Sequence, residues 1–130
     1  MADMTDPLID LIKFDSDGLV PAIAQQHDTG ETLMMAWMNE DALRETARTG
    51  QVCYWSRSRQ ALWRKGESSG QTQLLKDLRI DCDGDTILLL VDQTGVACHT
   101  GRRTCFFRAF RNAEVVETED VLIDPKSLYK

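Results

Sequence analysis

The sequence predicts a small, strand-rich α+β domain built on one mixed or antiparallel sheet with a short helix. Three observations carry this reading. Short apolar runs bounded by Gly, Asp and Asn recur along the chain, as strands do. Only one segment, near 40–49, carries both the start and the stop signals of a helix. A length of 130 residues, with 42% hydrophobic and 28% charged residues, suits one domain with its own core and is too short for two. That single domain is expected over 1–130, with its core at about 18–110 and an acidic, peripheral tail over 112–130.

Taken in order, residues 1–12 mix acids with Leu8, Ile9, Leu11 and Ile12, as in a short amphipathic turn or an arm that packs on a partner. Residues 20–27 read as a strand, Asp28-Thr29-Gly30-Glu31 as a turn, and Leu33-Met34-Met35-Ala36-Trp37-Met38 as the returning strand of a hairpin. Its methionines and tryptophan could line an adaptable pocket, although such residues more often fill cores. Asn39 is a good N-cap, Glu40 and Asp41 suit the positive end of a helix dipole, Leu43 and Ala47 form an i, i+4 apolar pair, and Gly50 ends the helix. Residues 51–56 return to strand pattern, with Cys53 as a small core residue.

Residues 56–70 change in character, carrying Arg57, Arg59, Trp63, Arg64, Lys65, Ser68 and Ser69 with two glycines. Guanidinium groups, hydroxyls and closely approaching backbone amides are what holds phosphate, so this stretch reads as a functional loop. Strands follow at 72–80 and 86–91, then the turn Asp92-Gln93-Thr94-Gly95, a polar loop at 98–105, and a last strand beginning with Phe106, Phe107, Ala109 and Phe110. The tail from Asn112 is expected to be peripheral or partly helical.

A net charge of -6 and a pI near 4.8 argue against work that consists of neutralising nucleic-acid phosphates. The first residues lack a secretory signal, and no run of 18 apolar residues occurs. A cytoplasmic protein with no membrane and no nucleic-acid partner is expected. In a reducing compartment, four cysteines point to metal or chemistry before disulfides.

Three of those cysteines, Cys82, Cys98 and Cys105, fall close to Asp81, Asp83 and Asp85. Thiolates select zinc-like ions and carboxylates suit magnesium, calcium or manganese, so two different metals are expected. Three thiolates would leave the fourth position of a zinc ion open to water. They also make the ion a weaker Lewis acid than imidazole ligands would, and a nearby base becomes useful. His99 sits inside the cluster and is the candidate for proton transfer, whereas His27 reads as structural. The aspartates do not form an EF-hand, because the loop's glycine and final glutamate positions are Thr86 and Asp92. As a strand, 81–85 would send Asp81, Asp83 and Asp85 to one face and Cys82 to the other.

Several ordered motifs together resemble the phosphoribosyl-AMP cyclohydrolase family. They are Met35-Ala36-Trp37-Met38-Asn39, Tyr54-Trp55-Ser56-Arg57-Ser58-Arg59, Leu62-Trp63-Arg64-Lys65-Gly66-Glu67, Asp81-Cys82-Asp83-Gly84-Asp85 and Cys98-His99-Thr100-Gly101. The resemblance covers about 18–108. It implies a hydrolase of histidine biosynthesis that opens the adenine ring of phosphoribosyl-AMP at the N1–C6 bond. It also implies an intertwined homodimer, with zinc held by Cys82 of one subunit and by Cys98 and Cys105 of the other, and magnesium on Asp81, Asp83 and Asp85. Gln71 departs from the histidine common at that position; it can hydrogen-bond but cannot act as a base. The second reading is a zinc-stabilised nucleic-acid-binding module in which Trp55, Trp63 and the arginines stack on single strands. The overall acidity opposes it.

Overall fold

The computed structural model of the chain describes residues 3–128. A short helix, α1 (Asp6–Leu11), precedes a hairpin of β1 (Val20–Gln26) and β2 (Thr32–Met38). Helix α2 (Glu40–Thr49) follows, begun by Asn39, whose side chain accepts the Ala42 N–H at 2.8 Å, and closed by Gly50 at φ 76°. Strands β3 (Cys53–Ser56) and β4 (Ala61–Arg64) form a second hairpin, and β5 (Gln73–Ile80) and β6 (Ile87–Gln93) a third. After the loop at 98–105 come the small hairpin β7 (Arg108–Arg111) with β8 (Glu114–Glu117) and a final turn of helix, α3 (Pro125–Leu128).

Six strands make one sheet in the order β4-β3-β2-β1-β6-β5. β1 and β6 run parallel and the other neighbours antiparallel, so the sheet is mixed and the α+β, strand-rich reading holds. The sheet is curled: three strands separate β3 from β5, yet Val52 N–H reaches the Gln73 carbonyl at 3.1 Å and Leu75 N–H the Gly50 carbonyl at 2.7 Å. Strand periodicity places Val20, Ala22 and Ala24 of β1 beside Ile87, Leu89 and Val91 of β6 in the core, all fully buried. Ala42, Leu43 and Thr46 are the buried face of α2. Thr46 ties that helix to the sheet, donating its hydroxyl to the Cys53 carbonyl and accepting the Cys53 N–H. Cys53 is a buried core residue, as expected.

Three expectations are corrected. Residues 56–70 are not one uninterrupted loop, because Ala61–Arg64 pairs with β3 as an edge strand; the polar composition masked it, since an edge strand has one solvent face. Residues 81–85 are a tight turn between β5 and β6 and not a strand, with Gly84 at φ 75° and the Asp81 carboxylate accepting the Asp85 N–H at 3.0 Å. The alternation that was to separate Cys82 from the aspartates therefore does not apply. The strand expected from Phe106 starts at Arg108 and is not the last, because β8, which the acidic composition hid, follows and pairs with it.

Candidate active site

Two loops and two strands meet at a cavity of about 510 Å³, within the usual size of small-molecule sites. Trp63 on β4 and Lys65 just beyond it face the cavity, while Ser68 and Ser69 line it from the following loop. That loop turns tightly at Gly66, which has φ 83°. A Cβ there would lie 2.5 Å from the Gln71 carbonyl carbon, so only glycine fits. Arg59 approaches from the β3–β4 turn, Met34, Met35 and Ala36 from β2, and His99 and Cys105 from the loop at 98–105. Met34 and Met35 thus serve both readings of that run, with Met34 buried in the core cluster and both lining the cavity.

The loop carrying the cysteines is held tightly. Cys98 N–H bonds the Arg102 carbonyl at 3.1 Å, Cys105 N–H bonds the Leu33 carbonyl at 2.7 Å, and the Thr104 hydroxyl donates to the Thr32 carbonyl at 2.7 Å. Thr100 places its hydroxyl 3.0 Å from the Cys98 sulfur. Enclosure of the sulfur within the loop, although the residue has an exposed edge, and the neighbouring Cys98 push the Cys105 thiol up to about 12, and Lys65 opposes the rise. Cys98 is buried and Cys105 is exposed.

Beneath the loop runs a buried amide relay. Tyr54 donates to the Gln73 side chain at 2.7 Å, and Gln73 donates to Gln93 at 2.8 Å. The Gln93 amide nitrogen lies near the carbonyls of Gln71, Thr72, Thr94 and Val96. Arg103 closes the relay by donating to the carbonyls of Gln93 and Gly95 and to the Gln26 side chain, at 2.9, 2.7 and 2.8 Å. Gln71, in place of the expected histidine, is a brace: its side-chain oxygen accepts Val96 N–H at 3.0 Å and its nitrogen donates to the Ser69 carbonyl at 3.2 Å, joining the serine loop to the cysteine loop. Arg103→Met should strip these acceptors of their donor and cost about 1–3 kcal/mol. A lower urea midpoint at unchanged slope would register that loss.

Not every predicted residue joins the cavity. Arg64 is committed to Glu45 of α2 in a two-pronged ion pair, both contacts at 2.8 Å, which also holds the Glu45 carboxyl below its usual range. Arg57 lies over the Trp37 ring, 4.9 Å from its centroid, and lines a neighbouring cavity of about 360 Å³. Asp81, Asp83 and Asp85 converge: their oxygens lie within 4.8 Å of one another, all three residues are exposed, and the hydrogen bond to Asp81 followed by its charge and that of Asp83 pushes the Asp85 carboxyl up. Among the described residues this is the only such cluster of three or more possible ligands, so Cys82, exposed in the same turn, does not meet Cys98 and Cys105 within one chain.

Sequence reading missed the structural work of Gln71, Gln93 and Arg103, as well as Glu67 on the cavity wall. Glutamine carries no titration or ligand signature in a sequence, and its role here rests on contacts between residues 20 or more positions apart.

Two serine hydroxyls, cations, a histidine and a thiol around one nucleotide-sized cavity are an enzyme's equipment, and comparison with known proteins agrees. The family described as phosphoribosyl-AMP cyclohydrolase matches residues 34–107, which spans the cavity's β2, β4, serine-loop and cysteine-loop walls. A protein of that name from Paramagnetospirillum magneticum is 69% identical over 119 residues, covering 92% of this chain and 90% of its own. The namesake from Hydrogenovibrio crunogenus is 66% identical over 119 residues, covering 92% and 81%. That from Granulibacter bethesdensis is 63% identical over 123 residues, covering 94% and 96%. With a family model matching residues 34–107 and identity this high over more than nine-tenths of the chain, the chain belongs to the phosphoribosyl-AMP cyclohydrolase family.

Proposed function

We propose that the chain hydrolyses phosphoribosyl-AMP in histidine biosynthesis, opening the adenine ring between N1 and C6. The observation that carries this reading is the one cavity that gathers His99, Cys105, Lys65, Arg59 and the two serines beside Trp63. N1 of the substrate bears a second phosphoribosyl group, which makes the ring cationic and C6 electrophilic. His99 takes a proton from the attacking water, whose oxygen bonds to C6. As the C6–N1 bond breaks, the C6 hydroxyl loses its proton and becomes the carbonyl; the electron pair of the broken bond stays on N1, which takes up one proton, and the other is released to solvent. The product is an imidazole carboxamide still carrying both phosphoribosyl arms. Trp63 supplies a face for the base, while Arg59, Ser68 and Ser69 offer donors to phosphate oxygens.

The donor set fits two metals. Soft sulfurs at Cys98 and Cys105 belong to the same loop as His99, and a third at Cys82 stands exposed elsewhere. Zinc held by Cys98, Cys105 and Cys82 of a second copy would supply the Lewis acid that makes the attacking water acidic. Hard carboxylate oxygens at Asp81, Asp83 and Asp85 suit magnesium, which would help hold a phosphate.

Homodimerisation accounts for two further features. Cys82 cannot complete a ligand set in its own chain. The β7–β8 hairpin also pairs Phe110, 75% exposed, with Val115, 69% exposed, as an uncovered apolar face. No helix among the described residues is long and apolar enough to cross a membrane. Turnover of phosphoribosyl-AMP, followed by its ultraviolet absorbance change, should disappear on chelation and return when zinc is restored with magnesium present. A folded, metal-loaded protein without turnover would overturn the proposal.

A further inference from the structure

Lys65 is the odd charge in this molecule. Its residue is 7% exposed, and its ammonium makes one hydrogen bond, to the Ala97 carbonyl at 2.8 Å, and lies 5.6 Å from the Trp63 ring centroid. An isolated ammonium loses several kcal/mol when buried unless an opposite charge compensates it. Among the described residues, no carboxylate lies within 4.0 Å of it. Glu67 shares the cavity wall but forms no ion pair with Lys65 among the described residues. The Cys105 and Cys98 sulfurs, once ionised, are groups whose charge opposes the lowering that burial imposes on Lys65.

The bond to Ala97 fixes the geometry. Ala97 adjoins Cys98, and its own N–H bonds the Arg103 carbonyl at 3.0 Å, so Lys65 is anchored to the base of the cysteine loop. Zinc with three thiolates retains a net negative charge, which is as costly to bury as the ammonium is. Each charge offsets the other.

We propose that Lys65 is the built-in counter-charge of the Cys98–Cys105 thiolate pair, a positioning residue that holds the metal-binding loop and neutralises the loaded site, and not an anchor for substrate phosphate. The inference rests on the zinc reading above. It reassigns Lys65 from the phosphate-binding group in which its sequence neighbours place it. Arg59, Ser68 and Ser69 remain for that task.

The test uses the intact protein without substrate, so phosphate cannot contribute. Zinc affinity is measured by competition with a chromophoric chelator for wild type, Lys65→Met and Lys65→Arg, and the cobalt-loaded forms are compared by their thiolate-to-metal absorption. Lys65→Met should bind zinc about 10–100-fold more weakly with a shifted cobalt spectrum, as removal of a residue supporting the ligands does. Lys65→Arg, which keeps the charge, should keep most of the affinity. Unchanged zinc affinity in Lys65→Met, with a raised KM, would return Lys65 to the phosphate and overturn the proposal. Equal losses in Met and Arg variants would make packing the cause and overturn it too. Wild type that binds no zinc would instead defeat the zinc reading itself. Methionine is close to lysine in length and removes a buried charge, so the metal-free variant should melt no lower than wild type; Lys65→Gln carries the same test should Lys65→Met be insoluble.

Discussion

Mixing Cys82→Ser protomers with Cys105→Ser protomers, each inactive alone, should regenerate activity. A site assembled from Cys82 of one copy with Cys98 and Cys105 of the other is broken in both homodimers. In a heterodimer one of its two sites draws every thiolate from an unmutated position. If the proposed dimer is two-fold symmetric, random exchange should therefore restore about one site in four. The expectation comes from the distribution of sulfurs: Cys98 and Cys105 share the loop at 98–105, whose Cys105 lines the cavity, and Cys82 stands in the turn between β5 and β6, outside any cluster of three formed with them. Absence of rescue after subunit exchange has been verified by mass would place the whole site in one chain.

His99→Ala should lower kcat about 10²–10⁴-fold, the usual worth of a positioned general base. His99 is exposed on the cavity wall and contributes nothing to the core, so the variant should fold and keep its zinc content. The readout that separates a proton-transfer role from a structural one is the pairing of full metal content with lost turnover. Undiminished kcat would remove His99 from the mechanism.

Strand β6 was visible in advance because a short, continuous apolar run bounded by Asp and Gly is what a buried strand writes into the sequence. Helix α2 was legible to the residue from Asn39 and Gly50, since capping chemistry is local. β4 and β8 were not, for both are four-residue strands set among polar and charged neighbours that look like loop. The site was legible in part for a related reason. Ser68, Ser69, His99 and Cys105 carry chemical signatures and do gather at one cavity, whereas Arg64, equally promising in sequence, is occupied by Glu45 from a helix 19 positions away. Sequence shows which groups exist, and the fold decides which are free. The amide relay through Gln73 and Gln93 lay beyond reach because its members matter only through one another.

The loop at 98–105 receives its final support from residues far along the chain. Gly101, at φ 87°, offers its carbonyl to the N–H groups of Leu122 and Ile123 at 2.8 and 3.2 Å, and a Cβ there would collide with the Ile123 carbonyl. Arg102 adds bonds to the Glu119 carbonyl and the Glu117 carboxylate. Ribosomes deliver a chain from its N-terminus, so the thiols of Cys98 and Cys105 emerge before the segment that fixes their loop. Until residues 117–123 have followed, those thiols belong to a loosely held stretch of nascent polypeptide, and the loop that presents them settles only after that later segment is made.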